Sequence, residues 1–190
     1  MNHLPMITGL LAALTALAGC DKTSVGPQSD LPAATATGAE TLGFRVDGAA
    51  WVPAGQRCGI YGCADNRVEA SSHLSGRRRF LLLTAARTDG SRNESFVLQI
   101  DSLAGPGVYR ATAGGPGATG GESGTKLYFT DSRRGRQYQS QPGTASITIT
   151  AIDTVRDLVA GTFEGQLPSL RAGEPAVQIS SGRFDVLYNR

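Results

Sequence analysis

Two arginine clusters, Arg77-Arg78-Arg79 and Arg133-Arg134 with Arg136, carry the binding chemistry most readily drawn from this chain. A guanidinium is a planar fork of donors that meets phosphate or carboxylate oxygens two at a time. Near a membrane or an acidic glycan, six such side chains form a candidate anion-binding set, with Tyr138 just beyond the second cluster. The competing reading is two solvated loops whose charges discourage edge pairing of the hydrophobic strands beside them. Carboxylates offer a second chemistry. Asp153, Asp157, Glu164 and Asp185 fall on neighbouring strand regions, and a pair about 5–9 Å apart could hydrolyse a glycosidic bond without any histidine. Glu164 falls on a polar strand face and Asp185 shares a face with Arg183, so ordinary surface charge is the favoured reading.

Other patterns carry less. Gly115-Pro116-Gly117-Ala118-Thr119-Gly120 has the spacing of a dinucleotide turn, but such a turn must open a helix whose N-terminus meets the pyrophosphate. The next residues, Gly121-Glu122-Ser123-Gly124-Thr125, form another loop, so a nucleotide site is rejected and no cofactor is expected. His73, among Ser71, Ser72 and Ser75, lacks a nucleophile elbow and reads as an exposed turn residue. No catalytic residue is assigned. Trp51, Tyr61 and Tyr138 could stack on sugar rings, although a lone tryptophan in a domain of this size is usually core.

Cys20 closes the stretch Leu17-Ala18-Gly19-Cys20, which resembles the lipobox of bacterial lipoproteins, where the cysteine sulfur is acylated and the chain is cut before it. Ile7 to Ala18 is a Leu- and Ala-rich run ending in small residues, as an export signal requires. It falls short of the ~20 apolar residues that cross a bilayer. The rival reading is a buried helix, which folded sequence should follow closely. Instead residues 21–41 are polar and of low complexity, with Gly26, Pro27 and Pro32, and read as a flexible tether. The expected organisation is a signal peptide over 1–19, a tether over 20–41 and one β domain over 42–190. A diacylglycerol and an amide-linked chain on Cys20 would bury dozens of methylenes at ~0.8 kcal/mol each, an effectively permanent anchor. With Cys20 acylated and the chain in an oxidising compartment, Cys58 and Cys63 are left to form a disulfide. Its short loop is worth about 2 kcal/mol in the chain-entropy picture. A zinc clip is the alternative, but the processed chain has only His73 and no further cysteine to complete four ligands.

Lys and Arg total 18 against 16 Asp and Glu, a balance that argues against a nucleic-acid binder. Helix-favouring runs are missing after residue 20. Strand-like segments recur at 43–47, 50–53, 67–71, 79–85, 95–101, 107–112, 127–130, 145–152, 158–166, 176–180 and 183–188, separated by Gly, Pro, Asp and Asn. Asp47-Gly48 is a hairpin signal, since both residues tolerate positive φ. In 145–152 and 158–166, pairing Ile149 opposite Gly161 puts the large apolar residues on one face and the Thr/Glu set on the other. The expected fold is an all-β antiparallel sandwich of about 9–11 short strands, with a small closed barrel as the alternative.

Gly43-Phe44-Arg45-Val46-Asp47-Gly48-Ala49-Ala50-Trp51, the hairpin from Ile147 to Phe163 and the ending Gly182-Arg183-Phe184-Asp185-Val186, taken with the lipobox, resemble uncharacterised small lipoproteins of Bacteroidota. The likeness covers both ends of the domain and leaves out 58–141. It implies an all-β lipoprotein of the envelope and supplies no catalytic residues. The expectation is therefore a lipid-anchored, non-catalytic binding or scaffolding module, at the outer membrane on its periplasmic or surface face. Its partners would be the membrane, through the lipid, and an anionic glycan or another envelope protein. A carboxylate-dependent glycan hydrolase and a barrel carrying a small apolar ligand are the alternatives.

Overall fold

The Asp47-Gly48 turn joins β1 (Thr41–Val46) to β2 (Ala49–Trp51), with positive φ at both turn residues and Phe44 opposite Trp51. The computed structural model describes residues 30–75, 78–113 and 124–189. Cys20, the signal segment, the first part of the tether, Arg77 and the Gly115–Gly120 loop lie outside them. Eleven further strands follow: β3 (Ala54–Gly59), β4 (Gly62–Asp65), β5 (Glu69–Ser75), β6 (Arg78–Thr88), β7 (Glu94–Ile100), β8 (Gly107–Arg110), β9 (Lys126–Asp131), β10 (Arg136–Gln139), β11 (Ala145–Asp153), β12 (Leu158–Leu167) and β13 (Val177–Leu187). No helix occurs among the described residues.

The strands form two sheets. One runs β2-β1-β13-β12-β11-β8; the other runs β10-β9-β7-β6-β3-β4, with β5 on β6 as well. Every pairing is antiparallel except β3 on β6. Alternation dictates the core. Phe96, Leu98 and Ile100 face Leu81, Leu83, Leu127 and Phe129 on one sheet, and Ile147, Ile149, Phe163, Ile179, Phe184 and Val186 line the other. Ile149 does pair with Gly161, and a bulge follows before Ala151 meets Ala160. A Cβ on Gly161 would run into the Thr148 carbonyl oxygen and the Phe184 ring, so only glycine lets these layers close.

Thirteen strands replace the expected nine to eleven. β3, β4 and β10 are exposed or edge segments without a long apolar alternation, and 176–188 is one strand with a bulge, not two. The closed barrel is overturned: the strands form two separate sheets, each with its own order, and the isolated bridges Ser71–Asn189 and Tyr138–Ser169 only link the second sheet to residues just past β13 and β12. His73 lies within β5 rather than in a turn, exposed and stacked on Phe80 at 5.2 Å.

The tether expectation is corrected over its last residues. Residues 30–40 pack on the outer face of the first sheet, where Leu31 is buried. Asp185, expected as surface charge, is 1% exposed beneath them. Thr35 Oγ1 and the Thr37 backbone N–H donate to its Oδ2 at 2.6 and 2.8 Å, and the Gly38 N–H donates to Oδ1 at 2.8 Å. Apart from Leu31, residues of this polar stretch supply donors rather than apolar bulk, so its second half is held by hydrogen bonds to one carboxylate. At the strap's start, Arg45 donates to Asp30 at 2.6 Å and to the Gly48 carbonyl at 2.8 Å, so the chain comes in beside the β1–β2 turn.

Burial pushes the Asp185 carboxyl up, yet the hydrogen bonds from Thr35, Thr37, Gly38 and Ala39 together hold it below the ordinary range. The strap's stabilisation is therefore complete above the ordinary carboxyl pKa of about 3.9 and disappears as pH falls through the lowered native value. We expect Asp185→Ala to cost on the order of 2–3 kcal/mol and to raise amide exchange at Thr37 and Gly38 selectively. Hydrogen exchange followed from pH 6 downward checks both; exchange at these amides that matches wild type would refute the strap assignment. Gly161→Ala should lower stability by about 1–3 kcal/mol through overpacking, read from the urea midpoint at unchanged slope.

Candidate arginine-rimmed cleft

At one end of the sandwich the two sheets part around a cleft of about 660 Å³. Three connections meet there: the β1–β2 turn, the turn between β6 and β7, and the turn between β9 and β10. Register brings the last two together, because Glu94 at the start of β7 pairs with both Arg87 of β6 and Asp131 at the end of β9. Trp51, Phe129 and Tyr138 form the cleft's aromatic lining, with Val46, Ala49, Ala50 and Val177 beside them. Arg92, Arg133, Arg134 and Arg136 stand at its mouth.

The sequence clusters separate here. Arg133, Arg134 and Arg136 belong to the cleft, whereas Arg79 pairs with Leu74 near the start of β6. Ten residues of strand at about 3.3 Å each put the two ends of β6 roughly 30 Å apart. The side chains of Arg77 and Arg78 are outside the described part. The clusters are thus two regions of the molecule, and only the second has a concave surface beside it among the cavities described.

Arg133, Arg134 and Arg136 are partly committed. The Asp131 carboxylate is buried at the end of β9 and accepts from the Arg134 backbone N–H at 3.1 Å and its guanidinium at 3.3 Å, closing the β9–β10 turn. Arg136 approaches Glu174 at 3.5 Å, and Arg133 donates to the Gly90 carbonyl at 3.0 Å, tying the two turns together. The hydrogen bond from Arg87 holds the Asp89 carboxyl below its ordinary range against burial, and the charges of Arg87 and Arg92 add to the lowering. Asp47 accepts from the Gln178 N–H at 2.8 Å. Arg133 and Arg134 remain exposed, and Arg92 and Arg136 half-buried, so guanidinium edges stay available to a ligand.

The carboxylates singled out for hydrolysis do not gather in this cleft. Asp153 caps the β11–β12 turn, where the Arg156 side chain and the Arg156 and Val155 N–H groups lower it to about 2. Glu164 is exposed on the outer face of β12, and Asp185 is occupied by the strap. Asp157, at the end of the same turn as Asp153, adopts positive φ. Asp47, Glu94 and Asp131 are the carboxylates that line the cleft, but Asp47 accepts from the Gln178 N–H, Asp131 is tied to Arg134 and Glu94 accepts from the Trp51 indole at 2.9 Å. All three hold the scaffold in place. Among the described residues, no cluster of His, Cys, Asp and Glu has the makings of a metal site.

Trp51 is core, 1% exposed, and Tyr138 is buried; Tyr61 sits elsewhere, on the turn between β3 and β4. The three do not form a sugar platform. Cys58 and Cys63 are joined by a disulfide across β3 and β4. Sequence reasoning missed Arg92, Glu94 and Asp131. The signal for the two acids was a charged residue ending an apolar alternation: Glu94 before Phe96 and Leu98, Asp131 after Leu127 and Phe129. No family model matches the chain, and no curated protein or solved structure is significantly similar to it.

Glu94→Ala would leave the buried Trp51 N–H without its acceptor. An orphaned buried donor costs about 1–3 kcal/mol, so the urea midpoint should fall accordingly and the Trp51 emission should shift to the red. Unchanged stability and emission would show that the indole does not depend on Glu94.

Proposed function

We propose that this protein is a lipid-anchored module of the bacterial cell envelope that binds anionic groups at the membrane surface and performs no catalysis. The observation that carries the proposal is the cleft between the sheets: an aromatic and aliphatic interior with Arg92, Arg133, Arg134 and Arg136 around its mouth. Guanidinium groups held on tight turns lose less freedom on binding than free surface side chains, and their forks match phosphate and carboxylate oxygens. Anchorage at the outer membrane through an acylated Cys20 rests on the Leu17-Ala18-Gly19-Cys20 motif and on the likeness to small lipoproteins of Bacteroidota. The oxidised Cys58–Cys63 pair agrees with a compartment outside the cytoplasm.

Two measurements test the reading. Cys20→Ala should move the protein from the membrane fraction to the soluble one; retention on membranes would remove the lipid anchor. Reversing Arg133, Arg134 and Arg136 to Glu should weaken salt-sensitive binding to an anionic polysaccharide or to phosphate-bearing vesicles by about a hundredfold or more. Binding that survives the reversal would place the anion site elsewhere.

A further inference from the structure

The ribbon of β3 and β4 is built unlike the rest of the domain. Only Ala54 and Gly55 pair with β6, at Arg87 and Thr88, so the ribbon runs on past the end of that strand. From Gln56 to Asp65 every residue is exposed, and the disulfide fixes the ribbon just behind its turn. Turns of soluble proteins favour small polar residues. This one presents Ile60 and Tyr61, 90% and 98% exposed.

The ribbon leaves the sandwich at the arginine-bearing end, since Thr88 precedes the turn that contains Arg92. The strap places the chain's entry there too. Asp30 is held by Arg45 beside Gly48, and Leu31, Pro32 and Ala33 share a groove with Val52, Pro53 and Asn66 at the ribbon's base. Cys20 lies ten positions before Asp30 (30 − 20). Ten residues reach at most about 35 Å, so lipid on Cys20 confines this end of the domain to the neighbourhood of the bilayer.

We infer that the β3–β4 ribbon is a membrane-contacting finger: its Ile60-Tyr61 tip enters the lipid interface while Arg57 and the arginines of the cleft mouth face anionic headgroups. The inference rests on the proposed acylation of Cys20. Tyrosine suits the depth, with an apolar ring and a hydroxyl that stays at headgroup level. Acids at this end are engaged by neighbouring side chains, Asp89 by Arg87, Asp131 by Arg134, Asp65 by Gln56 at the surface and Glu69 by Arg57 at 3.8 Å, an exposed pair that Arg57 exchanges for a headgroup. Apolar insertion and basic charge are the two signals that, added to one lipid, set a fixed orientation. The headgroup is then the occupant of the arginine rim, and the domain stands on the membrane instead of swinging free of it.

The test uses the full lipidated chain reconstituted in vesicles of phosphatidylcholine and phosphatidylglycerol carrying brominated acyl chains, which quench tryptophan on contact. Tyr61→Trp puts a probe at the tip; Val155→Trp, 91% exposed in the β11–β12 turn at the opposite end of the sandwich, is the control. Buried Trp51 contributes the same background to both. The Tyr61→Trp emission should lose most of its added intensity, more with phosphatidylglycerol than with phosphatidylcholine alone, and Val155→Trp should lose none. Equal quenching of the two probes, or none at Tyr61→Trp in vesicle-bound protein, overturns the finger and leaves the anchor standing. Quenching that ignores lipid charge overturns the role of the arginines. If wild-type protein with Cys20 intact floats free of the vesicles, the anchor fails first and the inference falls with it.

Discussion

An aromatic cluster spanning the gap between the sheets is the constraint on which the architecture depends. Phe44 lies 4.7 Å from Trp51 and 4.5 Å from Phe96, and Phe96 stacks on Phe163 at 5.1 Å. Phe44, Trp51 and Phe163 come from the first sheet, Phe96 and Phe129 from the second, so each ring fills space that the facing layer leaves. Ring pairs at these separations add about 0.5–1.5 kcal/mol each to the burial of their area. The cluster sits toward one end of the sandwich. Its outermost member, Trp51, satisfies its N–H with Glu94, and beyond that bond the sheets diverge into the cleft. The site is therefore the place where aromatic packing stops and turn residues take over.

Polar chemistry in this domain works mostly as structure. Asp185 converts a low-complexity strap into part of the fold; Asp131 and Asp153 each cap a tight turn with help from an arginine three residues on. Carboxylates used in this way are acceptors for backbone N–H groups that would otherwise be unpaired. What is left over at the cleft mouth and on the ribbon is guanidinium edge and an exposed apolar tip, Ile60 and Tyr61.

Much of the fold was legible in the chain. The Ile147–Phe163 alternation identified the β11–β12 hairpin down to the Ile149–Gly161 register, and Asp47-Gly48 located the first turn. Strands β3, β4 and β10 were not legible, because a ribbon exposed on both faces and a short edge strand carry no apolar period. The site was half legible. Arg133, Arg134 and Arg136 stood out as a run, but Arg92 and Glu94 are single residues some forty positions earlier that only strand pairing brings beside them. Asp185 was not legible, because its parity puts it on the outer face with Arg183 and nothing local shows that residues 35–38 cover that face.

By itself the sequence determined what is local: alternation with period two, turn residues that accept positive φ, two cysteines close enough to bridge, and the lipobox-like stretch at Cys20. Each rests on chemistry within a few residues. Tertiary structure decided what is paired across distance: an open sandwich instead of a barrel, a strap latched to Asp185 some 150 residues away, and the chain's entry, the stapled ribbon and the arginine cleft gathered at one end. Those arrangements depend on which sheet each strand joins and on which residues cover its faces, and such choices belong to the whole packed molecule.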